Sequence, residues 1–162
     1  MSTLVDATRS QAAVRSSREV LAVHSKSFAL AGKLLPPACL DDAAAVYAWC
    51  RRADDAIDNP SAEGPSRALT RLERELDALY AGKEPSDLSL LAFADVVRRR
   101  HIPVEYPRAL LAGMAMDTGH VAYTSLGELR TYCFRVAGTV GLMMCHVLGV
   151  RHPHALKHAA DL

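Results

Sequence analysis

The 162-residue sequence has almost no period-two alternation of β-branched residues, which leaves nothing to build a sheet from. Alanine and leucine dominate instead, and the expected class is all-α. A net charge of +1 provides neither the basic face that nucleic acid requires nor the charge excess of a disordered tail. The first 20 residues are rich in Ser, Arg and Ala and hold no apolar core of a secretory signal. The longest apolar run, 136–150, is interrupted by glycines and His146 and is too short for a membrane span. Four cysteines, Cys39, Cys50, Cys133 and Cys145, form no CxxC pair. Each sits in an apolar helical pattern, which implies buried free thiols in a reducing compartment and a cytoplasmic location. No repeat or low-complexity linker divides the chain, and its length suits one domain with a core of its own.

Hydrophobic spacing and breakers mark out the helices. The first is expected over 7–35, whole or once interrupted, and ends before Pro36-Pro37. A second covers 38–58 and stops before Asn59-Pro60; a third covers 66–80 and closes at Gly82. In the third, "RLERELDAL" reads as a solvated charged face. A fourth, 87–100, ends in arginines, where the helix dipole favours cations. A fifth runs over 104–117. The sixth, 125–148, opens on "SLGE", a capping box of Ser125 and Glu128, and stops at Gly149. A last segment follows Pro153 and reaches Leu162.

The stretch "AWCRRADDAIDNP" gathers Asp54, Asp55 and Asp58 at the end of the second helix. Each carboxylate there opposes the helix dipole at a cost of about 0.3–1 kcal/mol. Like charges four apart repel by a similar amount. At 100° per residue, Tyr47, Arg51, Asp54 and Asp58 share one arc, beside an apolar arc of Val46, Cys50, Ala53 and Ile57. Asp55 stands to one side, within reach of Arg51 or Arg52. Two readings stand at even weight: an exposed helix end laced with Arg–Asp pairs, or a site where a hard divalent cation and a diphosphate neutralise the acids. His154 and His158 are also four apart, but no carboxylate or cysteine accompanies them at a metal-site spacing, so they read as surface residues.

Three blocks, "HSKSFALAGKLLPP", "VYAWCRRADDAIDNP" and "YCFRVAGTVGLMMCHVLGV", occur in that order. Together they closely resemble the squalene/phytoene synthase family of head-to-head prenyltransferases, bacterial phytoene synthases most of all. The similarity runs from about His24 onward. It implies an all-α isoprenoid (terpenoid) synthase fold, in which two Asp-rich motifs face each other across a cavity and hold Mg²⁺, or alternatively Mn²⁺. By that resemblance Asp54, Asp55 and Asp58 are metal ligands, and Tyr132, Asp54 and Asp58 are catalytic. Ser25, Ser27, Phe28, Tyr47, Arg51, Val136, Ala137 and Gly138 would contact substrate, and Asp117 falls where the family carries an aspartate. The implied reaction condenses two geranylgeranyl diphosphates to phytoene through prephytoene diphosphate. Its rival is squalene or presqualene diphosphate formation from farnesyl diphosphate, and a rival of another class is a non-catalytic helical fragment. Such apolar substrates imply peripheral contact with a membrane surface.

One expected part is missing. The second Asp-rich motif would follow "ALKHAADL", and the only other four-apart acids, Glu73 and Asp77, lie in the charged stretch. The expectation is therefore a truncated helical bundle, the N-terminal half of a family member. A partner chain or self-association would cover its open apolar face.

Overall fold

A computed structural model describes residues 2–59, 64–118 and 122–161. Nine α-helices and one π-helical turn make up its regular structure, and the described residues include no strand. The helices are α1 (Ser2–His24), α2 (Lys26–Gly32), α3 (Pro37–Asp58), α4 (Pro65–Tyr80), α5 (Leu88–Arg100), α6 (Glu105–Met116), α7 (Leu126–Cys133), α8 (Thr139–Val147) and α9 (Pro153–Asp161). The π turn, Phe134–Gly138, joins α7 to α8.

The expected first helix is two. Ser25 leaves the helical region (φ −144°, ψ 95°), and its Oγ accepts the Phe28 N–H at 3.3 Å. A serine cap satisfies an orphan donor that an unbroken helix would not have, so the chain restarts there. The capping box at Ser125 forms as expected: Ser125 Oγ accepts the Glu128 N–H, and Glu128 returns a carboxylate oxygen to the Thr124 N–H at 2.8 Å. Gly149 (φ 75°) ends α8, and the Val150 N–H reaches back to the Cys145 carbonyl at 2.9 Å. Pro60 and Leu162, expected at element ends, lie outside the described residues.

The continuous helix expected over 125–148 also divides. Within its π turn the Thr139 N–H bonds to the carbonyl five residues back, at Phe134. The Thr139 hydroxyl then donates to the Arg135 carbonyl at 2.7 Å. α6 packs closely against this turn because Gly113 has no side chain. A Cβ there would lie 2.7 Å from Arg135 Cβ and 2.8 Å from Val136 Cγ1.

α3 is the central rod. Its buried residues Ala45, Val46, Trp49, Ala53 and Ile57 recur at helical spacing and meet α1, α5 and α4. Trp49 stacks on Phe93 of α5 with ring centroids 4.4 Å apart and planes 7° from parallel. α4 buries Ala68, Leu72, Leu76 and Leu79 in one stripe and turns Glu73, Arg74 and Asp77 to solvent, as "RLERELDAL" predicts. Glu75 departs from that pattern: half-buried, it accepts Arg52 Nη1 at 2.7 Å. At the far end of α3, Asp42 is 2% exposed and binds Arg99 and Arg100 of α5. Cys133 corrects the expectation of buried thiols, since it is exposed; Cys39, Cys50 and Cys145 are half-buried. Among the described residues no helix is long and apolar enough to cross a membrane.

Candidate functional site

α3 carries the acids toward its C-terminal end. Arg51 donates Nε to Asp55 Oδ2 at 3.1 Å and sets Nη2 2.5 Å from Asp55 Oδ1, a two-pronged pair. Its Nη1 lies 3.4 Å from Asp54 Oδ2. Asp55 is therefore turned sideways to the arginine, as the helical arc predicts. Asp54 is half-buried and Asp58 is exposed. Burial, and then the Asp58 charge, push the Asp54 carboxyl above its ordinary value; Arg51 opposes them, and Asp55 and Asp117 add to the rise. The α3 wall thus concentrates negative charge that a cation would relieve.

Two hollows flank this part of α3. A polar one of about 490 Å³ is lined by Val20 and His24 of α1, Arg51, Arg52 and Asp55 of α3, and Arg71 and Ser89 from the helices beyond. An apolar one of about 220 Å³ is lined by Leu21, Phe28, Leu35, Val46, Tyr47 and Cys50, with Val140 and Met144 of α8 closing it. Phe28 meets Tyr47 edge to face, with centroids 6.1 Å apart. Neighbouring residues on α1, Val20 and Leu21, face different hollows, and so do Tyr47 and Arg51 on α3. An ionic recess and an oily one therefore share the α1–α3 seam. In the oily wall, burial and then Asp54 raise the Cys50 thiol to about 12, so it stays protonated at neutral pH.

The Tyr132 hydroxyl of α7 donates to Asp117 Oδ2 at 2.6 Å, just past the end of α6. Tyr123 lies against the Tyr132 ring, with centroids 5.2 Å apart. The Asp117 charge reaches Asp54. Tyr132, Asp117 and the α3 acids thus belong to one neighbourhood.

The remaining expected contacts sit elsewhere. Ser25 is occupied in capping α2, and Ser27 is exposed. Val136 packs on Gly113. Gly138 is buried with the Ala160 carbonyl of α9 against it, where a Cβ would come within 2.8 Å, and Ala137 is exposed. None of these lines either hollow. The residues that do, and that sequence reasoning passed over, are His24, Arg52, Val140 and Met144. His24 opens the quoted "HSKSF" block, Val140 lies inside "VAGTVG" and Met144 follows it by one turn, so the signal was present but assigned to neighbours.

The donors suit a hard divalent cation, which takes oxygen ligands and is commonly bound through one or two carboxylates plus phosphate oxygens. Asp55 is held by the two-pronged Arg51 pair, whereas Asp54 has only the longer 3.4 Å contact to Arg51, so Asp54 and Asp58 would be the better placed to take a cation. Among the described residues, no three His, Cys, Asp or Glu side chains converge on a common point as they stand, so a cation there would need phosphate or water oxygens to complete its shell. His152, His154 and His158 are exposed.

Comparison with known proteins agrees with this architecture. Residues 21–162 match the family model for squalene/phytoene synthase. The 15-cis-phytoene synthase of Paracoccus sp. (strain N81106) is 38% identical over 156 residues, covering 92% of this chain and 51% of the relative. The phytoene synthase of Rhodobacter capsulatus is 41% identical over 146 residues, covering 90% of this chain and 43% of the relative. The chain thus spans about half the length of the curated relatives it matches. Of solved structures, a dehydrosqualene synthase in complex with ligand superposes with a TM-score of 0.78 at 33% identity, over 86% of this chain and 48% of that one. Squalene synthase HpnC from Alicyclobacillus acidocaldarius gives 0.85 at 22% identity, over 94% of this chain and 57% of that one, and bears on fold alone. These neighbours have the all-α isoprenoid synthase fold, so the expected fold class holds. The family model covers most of the chain and relatives are 38% and 41% identical over the residues aligned, so the chain belongs to the squalene/phytoene synthase family.

Proposed function

We propose that this chain supplies one wall of a prenyltransferase site that joins two geranylgeranyl diphosphates head-to-head, giving phytoene through prephytoene diphosphate. One observation carries the reading: Arg51 and Asp55 of α3 line an ionic hollow while Tyr47 and Cys50, on the same helix, line an apolar one, which suits a ligand with an anionic head and a hydrocarbon tail. Mg²⁺ held by Asp54 and Asp58 would supply the charge that lets diphosphate leave. Arg51, Arg52 and His24 orient the diphosphate oxygens from the polar hollow. Phe28, Tyr47 and Val46 line the apolar hollow that takes the tail, and the aromatic faces of Phe28 and Tyr47 stabilise the charge of the allylic cation. Tyr132 faces the reacting carbons from α7. A second acidic wall is required to clamp two diphosphates. Glu73 and Asp77 do not provide it, because both are exposed on α4 and Asp77 pairs with Arg108.

The test begins with binding. Calorimetry with geranylgeranyl diphosphate should show affinity that depends on added Mg²⁺, and that dependence should vanish in Asp54→Asn and Asp58→Asn. Unchanged binding in both variants would favour a non-catalytic helical module. Turnover is then assayed with geranylgeranyl and farnesyl diphosphates in parallel, for the chain alone and together with a polypeptide carrying a second Asp-rich motif. Phytoene only in the combined sample is the expected result; a C30 product instead would assign the farnesyl donor.

A further inference from the structure

We infer that Asp117 is a positioning residue for Tyr132, and that the two form a proton-accepting pair. The inference rests on the functional reading above for its chemistry but on geometry for its existence. Tyr132 is on α7 and Asp117 is the residue that ends α6, so their bond spans two helices. At 2.6 Å it lies at the short end for a hydroxyl on a carboxylate. Among the described residues the Asp117 side chain caps no helix; its backbone N–H closes α6 onto Met114. The carboxylate is exposed, so burial does not force the pairing. With its proton directed at Asp117, Tyr132 presents only oxygen lone pairs to a ligand. The groups that face the pair are the Tyr123 ring, the Cys133 thiol and, through its charge, Asp54. The hydrogen bond to Asp117, then burial, then the Asp117 charge hold the phenol above its ordinary value, so Tyr132 stays neutral.

An acceptor oxygen of this kind matches the last step of the proposed reaction. A C–H bond next to the final carbocation breaks, and its electron pair closes the new double bond. The proton goes to Tyr132 Oη as the phenolic proton moves to the Asp117 carboxylate. Charge and atoms balance, and Asp117 ends as the neutral acid.

The experiment has two arms. In the first, tyrosine Raman spectra and ultraviolet titrations of the full chain are recorded for wild type, Asp117→Asn and Asp117→Glu, each with Tyr132→Phe as the subtraction reference. Tyr132 should show the doublet of a strong hydrogen-bond donor, and Asp117→Asn should abolish it and lower the ionisation midpoint by about one pH unit or more. Asp117→Glu should retain the donor signature. A Tyr132 signal identical in wild type and Asp117→Asn would overturn the inference. In the second arm, the product assay described above reads kcat and KM. Asp117→Asn and Tyr132→Phe should each lower kcat more than tenfold with KM little changed. The double variant should be no slower than either single one, because the two act as a unit. Multiplicative losses or an unaffected kcat would refute the proton-accepting role. Absence of product from every wild-type combination would refute the functional reading and that role together, while the spectra still decide the positioning.

Discussion

Replacing Asp42 with alanine should destabilise the chain far more than replacing the exposed Asp58 at the other end of α3. Asp42 is 2% exposed and receives Arg99 Nη2 at 2.6 Å, Arg99 Nη1 at 3.2 Å and Arg100 Nε at 2.6 Å. Removing one partner of a buried pair costs about 3–5 kcal/mol, chiefly because the other charge is stranded. Here the stranding is partial. Arg99 keeps Asp95, at 2.8 Å from Nε, and its side chain is 48% exposed; Arg100 is 27% exposed and, among the described residues, has only the Cys39 sulfur, 4.0 Å away, as a further side-chain partner. The loss should therefore fall near the low end, about 3 kcal/mol. For a chain of this size that lowers Tm by roughly 6–12 °C. Urea unfolding followed by circular dichroism measures it, and the m-value should not change. The pH dependence gives a second check. Burial alone would raise the Asp42 carboxyl, but the hydrogen bonds from Arg99 and Arg100 outweigh it, so the folded value lies below the unfolded one. Asp42's contribution is thus complete above the unfolded value of about 4 and is lost as pH falls through the folded value. The gap between wild type and Asp42→Ala should be flat from neutral pH to about 5 and should narrow below about 4. A loss under about 1 kcal/mol, or a gap that widens in acid, would show that the cluster contributes no more than a surface pair.

Other outcomes follow from packing and exposure. Gly113→Ala places a Cβ against Arg135 and Val136, and overpacking of that kind should cost about 1–3 kcal/mol, seen in the same unfolding assay. His101 ends α5 with φ 53°, so His101→Gly should stabilise by up to about 1 kcal/mol, measured as a rise in Tm. Ellman's reagent should label exposed Cys133 first at neutral pH, while Cys50, raised to about 12 by burial and Asp54, should react only on unfolding.

What the sequence conveyed and what it hid differ by physical kind. α4, the Ser125 cap and the Gly149 stop were legible because each is encoded within a few residues. The interruptions at Ser25 and at Phe134–Gly138 were not, since apolar spacing continues across them and only backbone hydrogen bonding reveals the break. Arg51 and Asp55 are helical neighbours, so their pairing could be read from a wheel. Asp42 with Arg99 and Arg100 joins residues far apart in the chain and carries no local signature. For the same reason the Asp117–Tyr132 bond, between two helices, could be found only in three dimensions.

The π turn between α7 and α8 has a consequence for how relatives are compared. One residue in an α-helix amounts to about 100° of rotation. The wide turn at Phe134–Gly138 takes up extra backbone, so Tyr132 and the Thr139–Val147 rod are out of phase with the straight helix that their spacing suggests. Deleting one residue there would keep Tyr132 in the sequence and still swing the phenol to a new neighbour. For homologues of this chain, a single-position gap inside that turn should count as heavily as the loss of the tyrosine.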